Sequence, residues 1–290
     1  MKRLEAGFAF GAAALALSTL GTSLSMTTQY LLLLLGMLLT GIVHGAFDAL
    51  IVAKRSGRTP GAAFYLIYVA AVLAMLALWW LAPLLGLLVF LLLSIHHFGA
   101  GDAMTRLRWA EIFARGGALI VLSAAGQAQA TAAIYDVLLR SEQGAQIVSW
   151  LASDLVVRLW GVGFLLALAA LISKATALAC LSALELCCLA LAAWFAPPIL
   201  AFAAFFCGSH ALRHLQRTAS ELHPALGLKP ALWQMLKDAR LIVAGSLLSA
   251  LGLLLLLAVD SQAWLLSSVF VGLAALTVPH AFFVDRPIKR

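Results

Sequence analysis

The stretch QYLLLLLGMLLTGIVHGAFDALIVAKR, residues 29–55, decides the reading of this chain. Residues 29–53 form an apolar run longer than the ~20 residues a helix needs to cross a bilayer. The run stops at Lys54 and Arg55, the kind of basic flank that marks the cytoplasmic end of a span. Its second half carries His44 and Asp48, one helical turn apart. Ionisable groups at membrane depth are costly, so each is a candidate for function.

Working outward, the same kind of run recurs along the whole chain. Of 290 residues, 64% are hydrophobic and 11% charged, and mean hydropathy is +1.04. Soluble domains carry roughly 25% charged residues, so this composition excludes a water-soluble fold. The expected architecture is all-α, a polytopic transmembrane helical bundle forming a single integral-membrane domain over 1–290. About ten spans are predicted, near 7–24, 29–53, 61–82, 84–103, 109–126, 155–173, 175–195, 197–213, 241–259 and 263–284. Between them, residues 127–154 read as an amphipathic segment on the membrane surface, and 214–240 form the longest polar connection.

Charge placement orients the bundle. With the N-terminus inside and spans alternating, 17 of the 19 Lys and Arg fall on the cytoplasmic side, Arg115 among them, and only Arg140 and Arg158 fall outside. Both termini are therefore expected in the cytoplasm, in a multi-pass protein of the inner membrane. The same placement explains the net charge of +7 without nucleic acid as a partner. Cys180, Cys187, Cys188 and Cys207 lie inside apolar runs and read as packing residues. The N-terminal 23 residues resemble a signal peptide, but the expectation is that they remain as the first span.

Six of seven histidines lie in or at the ends of spans: His44, His96, His97, His210, His214 and His280. In the alternating topology all six fall in the cytoplasmic half, which points to one shared metal site. His210 and His214 are four residues apart and share a helix face, a common way to present two imidazoles to one ion. Neighbouring His96 and His97 point in different directions, so at most one of them is a ligand. Gly45, Gly99 and Gly101 would let helices approach closely. Asp48, Asp102 and Asp285 follow three of the histidine motifs; Asp48 is placed to orient a ligating imidazole. Glu185 is a further acid, in the middle of a span. Phe47, Phe98, Trp109, Phe205, Phe206, Phe282 and Phe283 flank the histidines and either line an apolar channel or pack between helices. His223, in the polar connection, reads as solvated.

Imidazoles suit iron, zinc, copper or nickel. An open, imidazole-ligated Fe(II) in an apolar cavity fits oxygen chemistry on a lipid-like substrate. Three other readings compete. A membrane di-iron hydroxylase or desaturase would need about eight histidines in several clusters. A metal or proton transporter is expected to show internal repeats and a midplane site. A haem-binding electron carrier would use imidazole pairs on facing helices.

Four segments taken together resemble a known family. HGAFD at 44–48, HFGAGD at 97–102, HALRH at 210–214 and PHAFFVD at 279–285 look like the motifs of the Brp/Blh family, the integral-membrane β-carotene 15,15′-dioxygenases of bacteria and archaea. The resemblance covers most of the chain. It implies an Fe(II)-dependent enzyme that cleaves the central double bond of β-carotene with O2, giving two all-trans-retinal, for use by a microbial rhodopsin. It also implies His44, His97, His210 and His214 as the iron ligands and catalytic residues. His280 matches a further motif without an assigned role.

Overall fold

A computed structural model describes residues 24–257 and 262–285. The expected first span, the leader-like segment and the basic residues at both termini lie outside the described residues. Twelve helices account for nearly all the rest, with no strand among the described residues. In chain order they are α1 Met26–Ser56, α2 Ala62–Leu81, α3 Pro83–Ala100, α4 Arg108–Gly126, α5 Ala128–Leu139, α6 Gly144–Leu151, α7 Asp154–Ser173, α8 Ala177–Phe195, α9 over 198–222, α10 Leu228–Asp238, α11 Arg240–Leu257 and α12 Gln262–Val284.

Seven of them (α1, α2, α3, α4, α7, α8 and α12) are long and apolar enough to cross a membrane, as expected of a polytopic membrane protein. Two further expected spans, 197–213 and 241–259, fall on α9 and α11. The first is interrupted by a π turn at Phe206–His210 and then becomes polar. Segment 127–154 forms the short helices α5 and α6, which pack on one another. Their contact is tight at Gly144, where an added Cβ would fall 2.2 Å from the Ala132 carbonyl oxygen. That closeness holds the two helices as a packed pair and buries Tyr135, Leu138 and Val148.

The helices group into two compact units. The first comprises residues 24–33 and 87–209, hence most of α3, all of α4 to α8, and α9 as far as Ser209. Its α3 and α4 meet through glycine. A Cβ on Gly99 would sit 2.4 Å from the Ile112 Cα, and one on Gly116 would sit 2.0 Å from the Ile95 carbonyl oxygen. Only glycine lets two backbones run this close, and in lipid such contact is a main source of helix association.

Arg115 is corrected by this unit. The charge count placed it with the cytoplasmic loop residues, but it lies in α4 and is 1% exposed. It donates to the carbonyl and hydroxyl oxygens of Ser182 and lies 4.0 Å from the Glu185 carboxylate, which also accepts from the Ser209 hydroxyl at 2.8 Å. A charge this deep is tolerated because it is paired and hydrogen-bonded. Glu111, also fully buried, accepts from the backbone N–H of Met104 and Thr105 and so ties down the turn after α3.

The second unit comprises residues 34–86 and 210–290. Its α1, α9 and α10 share an apolar core of Val43, Phe47, Leu215, Ala219, Ala231, Met235 and Ala239. Helix α1 ends at Gly57, whose φ of 68° is the left-handed conformation favoured at helix C-termini. Just before that cap, Arg55 donates to both carboxylate oxygens of Glu221 on α9, at 2.8 and 3.1 Å, and to the Val284 carbonyl of α12 at 2.8 Å. One guanidinium thus clamps the ends of three helices.

Candidate active site

The second unit collects four imidazoles. Helix α1 contains a π turn at Met37–Gly41 and a second irregular turn at 46–47. A π turn inserts a residue and rotates the remainder of the helix about its axis, a device common at functional sites. His44 sits between the two irregularities. It is buried, and its Nδ1–H donates to the Gly41 carbonyl. On α9 the π turn Phe206–His210 ends on His210, and His214 comes one helical turn later. On α12, Pro279 lies inside the helix immediately before His280.

The His44 ring centroid lies 5.9 Å from that of His210, 5.4 Å from His214 and 5.0 Å from His280. Those of His214 and His280 are 5.1 Å apart. One ring nitrogen of His44 and one of His210 approach within 4.8 Å. Imidazoles bound at ~2.1 Å to a common centre have ring centroids roughly 4.5–5.5 Å apart; the pairs His44–His214, His44–His280 and His214–His280 fall in that range and His44–His210 lies just outside it. Hydrogen bonding also sets the tautomers. Where Nδ1–H is held by a carbonyl or a carboxylate, the lone pair is on Nε2, the form that ligates.

His280 supplies the clearest instance, and its role is open from sequence. Its Nδ1–H donates to Asp48 Oδ1 at 2.8 Å, and the other oxygen of Asp48 accepts from the Tyr68 hydroxyl at 3.0 Å. Asp48 and His280 are both buried. The acid one turn from His44 therefore orients an imidazole 232 residues further along the chain. Nothing in the local pattern points to Tyr68, a single tyrosine in an apolar span.

The expected site residues are distributed between the units. His44, His210 and His214 come together in the second unit. His97 belongs to the first unit, where it is buried at the end of α3 beside Phe98. His96, next to it, is exposed. Asp102 is buried in the turn after α3, and Asp285 ends α12 half-buried. His223 is not simply solvated: its Nε2 lies 3.0 Å from the Asp238 carboxylate.

A cavity of about 640 Å³ opens beside the imidazoles within this same second unit. His44, Asp48, Tyr68, Thr277 and His280 line it, and most of the remaining wall is apolar side chains of α1, α2, α11 and α12. Its aromatic lining comes from one helix. Phe64, Tyr65 and Tyr68 of α2 line it. Phe47 is instead in the apolar core, Phe98, Phe205 and Phe206 pack on one another in the first unit, and Trp109 and Phe282 are exposed.

Fold and site together define a helical membrane protein in which clustered histidines face an apolar cavity. The family model described as "Beta-carotene 15,15′-dioxygenase" matches residues 35–286. A relative from an uncultured marine bacterium (66A03), named beta-carotene 15,15′-dioxygenase, is 33% identical over 258 residues, covering 84% of this chain and 89% of its own. A second, from Halobacterium salinarum, named probable beta-carotene 15,15′-dioxygenase Blh, is 26% identical, covering 91% of this chain and 86% of its own. No solved structure matches the chain. The chain belongs to the beta-carotene 15,15′-dioxygenase family.

Proposed function

We propose that this protein is an iron-dependent dioxygenase that cleaves β-carotene at its central 15,15′ double bond with O2 and releases two all-trans-retinal. The observation that carries this reading is the imidazole cluster, with His44 and His280 lining a largely apolar cavity, inside a membrane protein of this family. The ion is Fe(II), and its ligands are His44, His97, His210 and His214. His280 stands beside them, held by Asp48. In the membrane the chain has ten spans with both ends in the cytoplasm, and the charge asymmetry supports this. The retinal serves a microbial rhodopsin.

Bound there, iron supplies the one-electron chemistry through which O2 reacts with a polyene. The chain's own residues do the rest. The Gly41 carbonyl holds the Nδ1–H of His44 and fixes that ring in the ligating tautomer, and the Asp48 carboxylate holds the Nδ1–H of His280 beside it. Tyr68 anchors the second oxygen of Asp48. The apolar walls bind the polyene by burial, at ~25 cal/mol per Å², and exclude water from a reactive site. Each retinal carries one oxygen atom of O2, so the net reaction takes up and releases no proton. This agrees with a site whose one carboxylate at the cavity is engaged in orienting His280.

The test is expression in cells that make β-carotene, with chromatography of the extracted pigments and metal analysis of the purified protein. The expected result is two retinal per β-carotene consumed and one non-haem iron per chain. Unchanged β-carotene, with the protein confirmed in the membrane, would refute the substrate. Long apocarotenals in place of retinal would refute the central position of the cut.

A further inference from the structure

The cavity of the second unit is shaped by residues that lack side chains. Gly45 of α1, Gly245 of α11 and Gly272 of α12 all line it, and a Cβ at any of them would meet nothing within 4 Å. These are not packing glycines. At Gly99 and Gly116 in the first unit a Cβ would run into backbone, whereas at these three it would enter open space. Ser246, Ser249 and Ser268 also line the cavity, interspersed with the larger Ile242, Val269 and Leu273. Side chains are therefore missing from two of the helices that wall the cavity, and each absence leaves open space.

Position along the helix matters as much as width. Gly272 lies eight residues before His280 on α12, and at 1.5 Å per residue that is roughly 12 Å along the axis. His280, Leu276, Leu273, Gly272 and Val269 recur at helical spacing and all line the cavity. That open space is thus displaced along the wall from the imidazoles, on the side where an extended guest would place its end.

We propose that Gly245 and Gly272 are specificity-determining residues: the room they leave seats the bulky ring at one end of a cyclic carotenoid, and that seat sets which double bond lies at the imidazole cluster. This rests on the carotenoid-cleaving reading above. A ring needs the width that these glycines provide, and a linear polyene without end rings does not. Filling the seat therefore discriminates by end-group shape rather than by chemistry at the imidazoles. A steric difference of this size is worth roughly tenfold or more in selectivity.

The experiment uses the full chain in membranes of two host strains, one making β-carotene and one making lycopene, its ring-free counterpart. Wild type is compared with Gly272→Leu, Gly245→Leu and the milder Gly272→Ala. Gly252→Leu is the control for a leucine on α11, because Gly252 has open space around it and does not line the cavity. The expected result is a ratio of β-carotene to lycopene cleavage at least tenfold lower in the two cavity leucine variants, an intermediate ratio in Gly272→Ala, and the wild-type ratio in Gly252→Leu. Aldehydes longer than retinal from β-carotene in the leucine variants would also support a seat that sets register. The wild-type ratio in both cavity leucine variants, or equal loss on both polyenes while Gly252→Leu stays active, overturns the assignment. A wild type that cleaves neither polyene overturns the reading of the reaction, and the proposal falls with it.

Discussion

The two compact units use the same residue types for opposite purposes. In the first, glycines bring backbones together: Gly99 against Ile112, Gly116 against Ile95, Gly126 against Trp194. In the second, Gly45, Gly245 and Gly272 leave space beside the imidazoles. The buried ionisable groups divide in the same way. Arg115 and Glu185 of the first unit neutralise one another and fasten α4, α8 and the first half of α9. Asp48 of the second unit faces an imidazole rather than a cation. One unit is a scaffold whose polar groups are consumed by structure. The other holds its polar groups in readiness at the edge of a cavity. Function in a membrane protein therefore depends less on the presence of a buried charge or a glycine than on what stands opposite it.

The sharpest way to break this contrast is to remove the proposed ligands from the second unit. The double variant His210→Ala, His214→Ala should lose bound iron and lower activity at least a hundredfold, since it removes two donors at once, while His96→Ala, which alters an exposed ring, should do neither. Metal analysis of the purified variants decides it, and full iron occupancy in the double variant would reject the ligand assignment.

Next comes the buried pair of the scaffold. Glu185→Ala strands Arg115 in the interior and should cost about 3–5 kcal/mol, read as a lower thermal midpoint in detergent. Glu185→Gln keeps an acceptor for Ser209 and should cost less. If Glu185→Ala unfolds at the wild-type temperature, the pair is not the fastening described.

Asp48→Asn should act on the site and not on the scaffold. It weakens the hold on His280, and if that ring takes part at the ion, loss of its orienting carboxylate should lower metal affinity roughly 10–100-fold. Competition with a chelator would measure this, and the thermal midpoint of the metal-free protein should move little. An unchanged affinity would show that His280 and Asp48 stand apart from the ion.

The smallest effect compares glycines directly. Gly116→Ala forces a Cβ into the Ile95 carbonyl and should destabilise by about 1–3 kcal/mol. Gly272→Ala adds the same atom to open space and should leave stability within about 0.5 kcal/mol. Equal effects at the two positions would erase the distinction between packing and cavity glycines.

Much of the site is legible in the sequence, and the reasons are local. His210 and His214 share a face because four residues make about one helical turn, and the structure places both rings near His44. His96 and His97 have to diverge, and one is exposed while the other is buried. For the aromatics flanking the histidines the sequence left channel lining and packing open, and Phe47, Phe98, Phe205 and Phe206 pack. Proximity in sequence to a histidine says nothing about which wall a ring faces, and Phe64, Tyr65 and Tyr68 come from a helix with no histidine at all. Arg115 is misplaced for a related reason: charge counting assumes that a basic residue near a span end faces water, and cannot see an acid waiting on another helix.

By itself the sequence determined that this is a helical membrane protein with imidazoles in or at the ends of its apolar runs. Hydropathy, basic flanks and helical spacing are properties of short stretches, and a bilayer leaves such stretches few alternatives to a helix. Tertiary structure alone decided that Asp48 serves His280, that Tyr68 completes the pair, and that Gly245 and Gly272 border empty space while Gly99 and Gly116 border backbone. Those facts depend on which helix faces which across long separations in the chain, and no local pattern encodes what a residue will find opposite it.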